Sequence, residues 1–463
     1  MSVVAPPPLR PAPKREDPEL LIEEARARQR QRRRRVLTAA TAVLAAGAAA
    51  AGIVHAVGGS TATAAGLPKG VFANRSAFAG HGVLAFVSRG RLFVLDGVTR
   101  RVRMVSPAGV QTSDPRFSPD GRWLAYTVGR ERLGVARADG SAARVFPHDG
   151  GAAWLPNGEL AAADGIFRVA SNGNLARVGA EPKGLAAWSP DGDRFAFVSR
   201  TIVHGRDGAF HGTETLSIAG SLDGRRTAWR STPFTFTRSS GFSGNVIGGV
   251  QILPHREGVL FWTDPDQSAS MAADGMAVYE LRAPMAKPVE LAVSVGGRDV
   301  SVGANGALAI GAGPNRYAWL TKDVVTCGAS GRCTHVPVAP GRLTIDPAWS
   351  PDGKTLAYVE AAARPASDFR QATIVRWYAT HTLRLLRPGA AHATTVAGTS
   401  GAAVPAWSND GRSLLYVAGD ALWLVPSLGA RPEKIAGPLF PPNAWPSYYG
   451  QIGWSTQFAW ASP

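Results

Sequence analysis

The sequence predicts an all-β protein built as a β-propeller of four-stranded antiparallel blades, and three observations predict it. Gly and Pro together make up (53 + 34)/463, about 19% of the chain, against roughly 12% in average proteins. A motif with the pattern W-S-P-D-G recurs through most of the chain. The repeated region has no sustained helical period, which disfavours a helical bundle.

Each repeat is expected to begin with a β-hairpin. In the turn Pro351-Asp352-Gly353, Pro fixes φ, Asp hydrogen-bonds its own backbone and Gly takes a positive φ. A buried second strand follows, and two further apolar runs complete four strands. Four segments carry the motif clearly: Asp114–Val128, Leu185–Ser199, Asp346–Glu360 and Val404–Ala418. With the degenerate copies we count eight units, and seven is the alternative count; the units begin near residues 82, 114, 151, 185, 247, 299, 345 and 404.

The two ends of the repeated region predict how the ring closes. The opening copy near Phe78 lacks a clear first strand, and the C-terminal stretch from Ile452 repeats the motif with no unit after it. We expect that stretch to pair with the first blade, which removes two open edges. Two recurring side chains have structural interpretations. The motif tryptophans should pack between blades, and the turn aspartates should stabilise turns: Trp154, Trp188, Trp349, Trp407 and Trp454, and Asp120, Asp191, Asp352 and Asp410.

The N-terminal region predicts a membrane anchor. Residues 1–35 hold ten Lys/Arg and five Asp/Glu, and residues 36–57 hold no Asp, Glu, Lys or Arg. About 20 apolar residues span a bilayer, and positive charge stays on the cytoplasmic side. We therefore expect a cytoplasmic tail (1–35), a transmembrane helix (36–57), a linker (58–78) and an external propeller (79–463). The alternative is an export signal cleaved near Ala62-Thr63-Ala64.

The repeated motif resembles that of the TolB-like propellers, a bacterial family related to WD repeats. The match is carried by Phe117–Asp120, Trp188–Asp191, Trp349–Asp352 and Trp407–Asp410, the last with Asn in place of Pro. The resemblance covers most of residues 79–463 and implies the blade type. It implies little about function, because such propellers serve as scaffolds, receptors and enzyme domains.

Several function classes lack their sequence signals. The chain has no G-x-S-x-G, H-E-x-x-H or Walker motif, and two cysteines are too few for a Cys-rich zinc module. We expect no cofactor and no metal site. The net charge of +16 is not concentrated on one stripe of the repeated region, which argues against a nucleic-acid partner. The two cysteines, Cys327 and Cys333, flank a short turn between β-rich runs and are expected to form a disulfide across a hairpin.

Long insertions predict the binding face. The insertions at 200–214, 265–275 and 362–371 all fall between second and third strands, which emerge on one face of a propeller. Insertions gathered on one face of a repeat array mark a working surface. The candidate ligand-binding residues are His204, Arg206, Asp207, His211, Arg364, Asp368 and Arg370.

The function that the sequence favours is binding rather than catalysis. We expect a membrane-tethered propeller that acts as a binding or scaffold module for a protein or a cell-envelope polysaccharide, since a basic domain suits an anionic polymer. The alternative is a carbohydrate-active enzyme with its site at the mouth of the channel. Asp114, Asp299 and Asp346, which enter first strands, are the candidate acids for that alternative, and a structural role in the turn between blades competes with it.

Overall fold

The structure is a computed structural model, and its described part covers most of the repeated region. It describes residues 67–463 apart from 108, 150, 163, 181–184, 190–191, 193, 206–207, 221–225, 238–240, 244, 254–257, 266–274, 295–298, 329–330, 365–369 and 442–446. Within these residues the chain forms eight antiparallel sheets of four or five strands, which are the eight blades of a propeller. The predicted fold class and the count of eight units are confirmed.

The strands of the first half follow the repeats. In chain order they are β1 (Phe72–Ala73); β2 (Val83–Ser88), β3 (Arg91–Asp96) and β4 (Arg101–Met104) of blade 1; β5 (Thr112–Phe117), β6 (Trp123–Val128), β7 (Arg132–Arg137) and β8 (Arg144–Asp149) of blade 2; β9 (Ala153–Trp154), β10 (Leu160–Ala162), β11 (Gly165–Val169) and β12 (Leu175–Gly179) of blade 3; and β13 (Leu185–Trp188), β14 (Phe195–His204), β15 (Phe210–Ala219), β16 (Thr227–Thr237) and β17 (Gly241–Ser243) of blade 4.

The second half continues in the same way and ends with a short hairpin and one last strand. The elements are β18 (Asn245–Ile252), β19 (Val259–Pro265), β20 (Met276–Leu281) and β21 (Val289–Ser294) of blade 5; β22 (Val300–Val302), β23 (Leu308–Ala312), β24 (Asp323–Cys327) and β25 (Cys333–His335) of blade 6; β26 (Arg342–Trp349), β27 (Leu356–Ala362), helix α1 (Gln371–Tyr378), β28 (Thr382–Leu386) and β29 (Thr394–Thr395) of blade 7; β30 (Ala403–Trp407), β31 (Leu414–Ala418), β32 (Ala421–Val425) and β33 (Glu433–Gly437) of blade 8; then β34 (Ser447–Tyr448), β35 (Gln451–Ile452), a 3-10 helix (Trp454–Thr456) and β36 (Phe458–Ala461).

A serine and an aspartate hold the turn between the first and second strands. In blade 7 the Ser350 hydroxyl donates to Asp352 Oδ1 at 2.6 Å and accepts from the Thr355 amide at 2.9 Å. Blade 2 repeats the geometry at Ser118 and Asp120, and blade 8 repeats it at Ser408 and Asp410. Asp120, Asp352 and Asp410 therefore stabilise turns as expected, whereas Asp191 lies outside the described residues.

The motif tryptophans pack between neighbouring blades. Trp154 of blade 3 donates from its indole to the Arg116 carbonyl of blade 2 at 2.9 Å. The Trp407 indole of blade 8 donates to the Ala348 carbonyl of blade 7 at 3.0 Å. In both cases the acceptor lies two residues before the turn of the preceding blade. Trp349 packs among residues of blade 6, and Trp188 among residues of blade 3. These four tryptophans confirm the prediction, because each buries its ring against the preceding blade.

Trp454 does not occupy this position. It lies in the 3-10 helix before β36 and packs against Phe440 and Tyr378. The sequence W-S-x-x-F-A-W imitates the motif, but its second apolar run is the strand that adds to blade 1. The expectation that Trp454 shares the repeat position is therefore wrong, because Trp454 precedes the first strand of blade 1 instead of lying in a first strand.

Both ends of the described chain close the ring. Strand β36 pairs antiparallel with β2 and takes the first-strand position of blade 1, as expected. At the other end, β1 pairs with β33 and adds a fifth strand to blade 8. Since β1 lies inside segment 58–78, part of the expected linker belongs to a blade. Blades 1 and 8 are thus completed by strands from opposite ends of the chain.

The two cysteines form the expected disulfide. Cys327 and Cys333 are directly opposed in the hairpin of β24 and β25, and their sulfur atoms are bonded at 2.06 Å.

The expected location of the protein in a membrane is corrected. In the described part of the chain, no helix is long and apolar enough to cross a membrane. Helix α1 has eight residues, which at 1.5 Å per residue is about 12 Å against a hydrocarbon core of about 30 Å. The structure therefore does not support a single-pass protein with its propeller outside. Segment 36–57, the tail 1–35 and the alternative cleavage site at 62–64 lie outside the described residues.

The turn serine should be tested by Ser350→Ala. The substitution removes the hydroxyl that bridges the half-buried Thr355 amide and the Asp352 carboxylate, so we expect a loss of about 1 kcal/mol in the free energy of unfolding by urea at pH 7. The hydrogen bond from Ser350 lowers the pKa of Asp352 below its usual value. A depressed native pKa stabilises the protein above the unfolded pKa, and this stabilisation is lost as the pH falls through the native value.

The difference between wild type and Ser350→Ala should therefore narrow as the pH is lowered below about 4. Lys354→Ala is the matched control, because Lys354 is exposed and lies 3.9 Å from the same aspartate. We expect the control to change stability by less than about 0.5 kcal/mol. Equal effects of the two variants at pH 7 would contradict this account of the turn.

Ring closure should be tested by Trp460→Ala. The Trp460 indole donates to the His81 carbonyl at 2.7 Å and joins β36 to the start of blade 1. Its removal should lower the free energy of unfolding by about 2–4 kcal/mol, since a half-buried indole and one hydrogen bond are lost. Phe72→Ala on the other closing strand is the control, because Phe72 is 42% exposed. If Trp460→Ala and Phe72→Ala lowered the free energy of unfolding equally, closure through β36 would be contradicted.

Candidate functional site

The predicted insertions lie where the repeat alignment put them. Segment 200–214 comprises the ends of the paired strands β14 and β15 and their connection at 205–209. Segment 265–275 connects β19 to β20, and segment 362–371 follows β27. A fourth long connection, residues 313–322 between β23 and β24 of blade 6, was missed. In an antiparallel blade, connections between the second and third strands emerge on the same side as links to the next blade. We call this side the insertion face.

The structure divides the predicted site residues between two blades. His204 and His211 lie on blade 4, whereas Arg364 and Arg370 lie on blade 7, with two blades between them. The His204 ring packs edge-on against Phe210 with centroids 4.8 Å apart, and His211 Nδ1 lies 3.4 Å from the Thr235 hydroxyl. The remaining three predicted residues lie outside the described chain: Arg206, Asp207 and Asp368.

Around Arg364, three segments that are distant in sequence converge on the insertion face. They are residues 313–322 of blade 6, residues 363–364 and 370–381 of blade 7, and residues 447–452 of the last hairpin; we call them the aromatic platform. The Ala318 amide donates to the Tyr449 carbonyl at 3.0 Å, and the Arg364 amide donates to the Trp319 carbonyl at 3.0 Å. The Tyr378 hydroxyl donates to the Gly450 carbonyl at 3.3 Å. Each segment is therefore tied to another by the backbone.

Large aromatic rings fill the inside of the platform. Trp319 and Trp377 are buried and meet edge-on with centroids 5.8 Å apart. The Trp377 indole donates to the Ala362 carbonyl at 2.9 Å. Gly450 lies directly against Trp319, and a Cβ at this position would stand 2.4 Å from the indole atom Cζ3. The close approach of backbone and ring fixes the last hairpin on blade 6.

Helix α1 forms because one of its faces is covered by the platform. Its sequence, Q-A-T-I-V-R-W-Y, is rich in β-branched and aromatic residues, which are mediocre helix formers. The buried side chains are Thr373, Ile374, Trp377 and Tyr378, which share one face. Tertiary burial therefore stabilises a helix that the local sequence does not favour.

A buried ion pair anchors the end of this helix to blade 7. Glu360 on β27 is 8% exposed and its Oε1 accepts from Arg342 Nε of β26 at 3.2 Å. The same guanidinium donates to the Thr380 carbonyl at 3.1 Å, just after helix α1. The helix is thus held from below by the first two strands of its own blade.

The outer side of the platform combines arginines with aromatic rings. The Arg316 guanidinium lies 5.3 Å from the centroid of the Tyr449 ring, and Arg364 lies 5.5 Å from that of Trp319. Tyr317 stacks on Trp319 with centroids 6.0 Å apart and meets Tyr449 edge-on. Arg316, Tyr317, Tyr449 and Arg364 are all half-buried. A ligand can therefore reach the two guanidinium groups and the rings of Tyr317 and Tyr449, whereas Trp319 is buried.

The platform carries positive charge. The platform together with the residues that border it in the chain (313–322, 363–381 and 438–457) has five Lys/Arg and one Asp, a net charge of +4. Two ionisable side chains beneath the surface, His381 and Tyr378, are uncharged at neutral pH. Burial lowers the pKa of His381 to about 3, so the imidazole is neutral. Burial and the nearby Asp346 carboxylate raise the pKa of Tyr378 far above neutrality.

The three candidate channel acids have structural contacts. Asp346 Oδ2 accepts from the Val404 amide of blade 8 at 2.9 Å, which links two first strands. Asp114 accepts from Arg116 at 2.7 Å, and Asp299 Oδ2 lies 3.5 Å from the Ser294 hydroxyl. Asp114 and Asp346 sit at equivalent bulges with φ of 55° and 51°. Among the described residues, no group of three His, Cys, Asp or Glu side chains is arranged to hold a metal.

Comparison with known proteins finds only remote structural likenesses. No family model matches the sequence, and neither does any curated protein. Among solved structures, TolB from Acinetobacter baumannii is 12% identical with a TM-score of 0.33; the match covers 77% of this chain, which spans 64% of the TolB chain.

An oligogalacturonate lyase from Vibrio parahaemolyticus is 10% identical with a TM-score of 0.36, and the match covers 77% of this chain and 86% of the lyase. Porphyromonas gingivalis dipeptidyl peptidase 4 is 12% identical with a TM-score of 0.34, and the match covers 74% of this chain and 48% of that chain. At this distance the likenesses carry no ligand, substrate or partner to this protein.

The integrity of the platform should be tested by Gly450→Ala. Gly450 has a φ of +84°, and the new Cβ would clash with Trp319. We expect a loss of about 2–4 kcal/mol in the free energy of unfolding from backbone strain and overpacking. The tryptophan emission spectrum of the folded protein should also change. Gly429→Ala is the control: its φ is +92° with nothing within 4 Å of the Cβ, so only about 1–2 kcal/mol of backbone strain applies. Equal losses would contradict the contact with Trp319.

Proposed function

We propose that the protein is a non-catalytic binding module that takes an acidic polysaccharide on the aromatic platform. The observation that carries the proposal is the pairing of half-exposed arginines with aromatic rings. Arg316 lies over Tyr449, Arg364 lies over Trp319, and Tyr317 lies between these rings. The other cation–π pairs among the described residues involve Phe197, Phe261 and Phe72, which lie outside the platform.

The chemistry of the platform matches the two parts of an acidic sugar. Guanidinium groups donate paired hydrogen bonds to carboxylate, sulfate or phosphate groups. Aromatic rings offer an apolar surface for the C–H face of a sugar ring, and Tyr adds a polar hydroxyl. A neutral polysaccharide would use the rings and leave the net charge of +4 unpaired.

The platform is also pre-organised for binding. Its segments are joined by backbone hydrogen bonds between Ala318 and Tyr449 and between Arg364 and Trp319. The Arg364 side chain is itself positioned by a hydrogen bond to the Thr373 carbonyl at 3.3 Å. Groups that are already ordered lose little conformational entropy when a ligand binds.

Catalysis is not part of the proposal. Most glycoside hydrolases use a pair of acids near the ligand. On the described platform residues the charged groups are basic, and Asp114 and Asp346 are used for contacts within the propeller. The arginines and aromatic rings of the platform are suited to holding a ligand, and binding alone accounts for them.

The test is binding of the full chain to immobilised polysaccharides. Polygalacturonate and alginate represent acidic chains, and dextran represents a neutral one. We expect saturable binding to the acidic polymers that weakens as salt is raised from 50 to 500 mM, because exposed charges are screened. Arg316→Ala and Arg364→Ala should each weaken binding about tenfold, which corresponds to roughly 1.4 kcal/mol.

Arg412→Ala is the matched control, because Arg412 lies in a turn on the opposite face and its side chain is 83% exposed. Arg364→Lys should recover part of the affinity, since it restores the charge and loses the planar fork. Circular dichroism of each variant establishes that it is folded. Equal binding of dextran, or a larger effect of Arg412→Ala than of either platform variant, would refute the proposal.

A further inference from the structure

Blade 4 extends beyond the insertion face as an arm, which we define as residues 199–204, 208–215 and 231–237. Strands β14 and β15 pair without interruption from Phe195 opposite Ala219 to His204 opposite Phe210. On the far side of β15, β16 continues the sheet up to Phe236 opposite Phe210. Within the described residues, the first strand, β13, pairs with β14 only from Trp188 opposite Phe195 to Leu185 opposite Val198.

The two long edges of the arm are unlike. The β16 edge contains Pro233 and is partly paired by β17; proline and short covering strands protect edges from further pairing. The β14 edge from Ser199 to His204 has no such protection, since it contains no Pro, Lys or bulge. Among the described residues, no strand pairs with this edge.

The hydrogen-bonding groups of the free edge can be assigned from the hairpin end. The Gly205 amide donates to the Ala209 carbonyl at 2.7 Å, which makes these two residues a hydrogen-bonded pair. Such pairs alternate along an antiparallel ladder. The N–H and C=O groups of Arg200, Ile202 and His204 therefore point away from β15, toward the free edge.

Each face of the arm carries one exposed apolar side chain at this edge. Ile202 is 57% exposed and Val203 is 63% exposed, and they are neighbours with side chains on opposite faces. Charge does not oppose self-association, because residues 199–215 contain two Arg, one Asp and one Glu, a net charge of zero. Arg200 is moreover paired with Glu214 at 2.8 Å.

We propose that the β14 edge of the arm pairs antiparallel with the same edge of a second copy of this chain. A twofold axis at Ile202 places Ile202 opposite its own copy and Arg200 opposite His204. In this register the outward N–H and C=O groups of all three residues meet their counterparts, and paired side chains lie on the same face. The two isoleucines become neighbours at the centre.

The register also keeps the two propellers apart. In this register, residue 198 of one copy and residue 198 of the other lie eight positions apart along the paired strands. The two blade bodies are then separated by eight residues of strand, about 26 Å at 3.3 Å per residue. Because one strand pair buries less surface than a standard interface, the dimer should dissociate on dilution.

The experiment measures the mass of the full chain by sedimentation velocity over a wide range of concentration. We expect a monomer that converts to a dimer as the concentration rises. Ile202→Pro removes an outward N–H that the arm itself does not use, so it should weaken dimerisation at least tenfold and leave the circular dichroism spectrum unchanged. Val178→Lys is the control, because Val178 is an exposed residue on blade 3, away from the arm. This change should leave the dimer intact.

Cysteine cross-linking tests the register. Ile202→Cys places two thiols opposite each other and should give a disulfide-linked dimer on oxidation. Val203→Cys is the control, because Val203 faces Thr201 of the second copy and should cross-link poorly. A protein that stays monomeric at all concentrations would overturn the proposal. So would a dimer that survives Ile202→Pro, or equal cross-linking of the two cysteine variants.

Discussion

Closure of the ring is the constraint on which the rest of the structure depends. Eight blades leave two open ends, and an unpaired strand at either end would expose backbone groups and apolar faces. Here β36 supplies the first strand of blade 1 and β1 adds to blade 8. The segment between β33 and β36 must therefore cross from blade 8 to blade 1 on the insertion face. Its hairpin, β34 and β35, is the part of that crossing that reaches the aromatic platform.

The repeated motif explains the rest of the scaffold. A serine and an aspartate hold each described P-D-G or N-D-G turn, and a tryptophan just before the turn packs on the preceding blade. Turn and interface are thus encoded within a few adjacent residues. These contacts keep the turns between first and second strands short on the opposite face. The connections that vary in length therefore lie on the insertion face, where blade 4 carries the arm and blade 7 carries helix α1.

Prediction from the sequence succeeded for local features and failed where distant segments meet. The Cys327–Cys333 pair, the turn aspartates and four tryptophans were interpreted correctly from a few neighbouring residues. Arg364 was placed on the correct face, but its aromatic partner Trp319 was missed, because blade 6 has a degenerate repeat that hid the connection 313–322. Tyr449 and Gly450 had no motif to mark them. Trp454 was misplaced because its neighbours imitate the repeat.

By itself, the sequence determined the blade type, the closure by the C-terminal strand and the disulfide, because each follows from contacts between residues close in the repeat or from its period. The sequence left eight or seven blades open, and the structure has eight. Only the tertiary structure decided how the insertions are used. Helix α1 forms against local propensity because Trp377 and Tyr378 are buried under the platform. Likewise, Arg316, Arg364 and Tyr449 become neighbours only when blades 6 and 7 and the last hairpin pack together, and no spacing in the chain encodes that proximity.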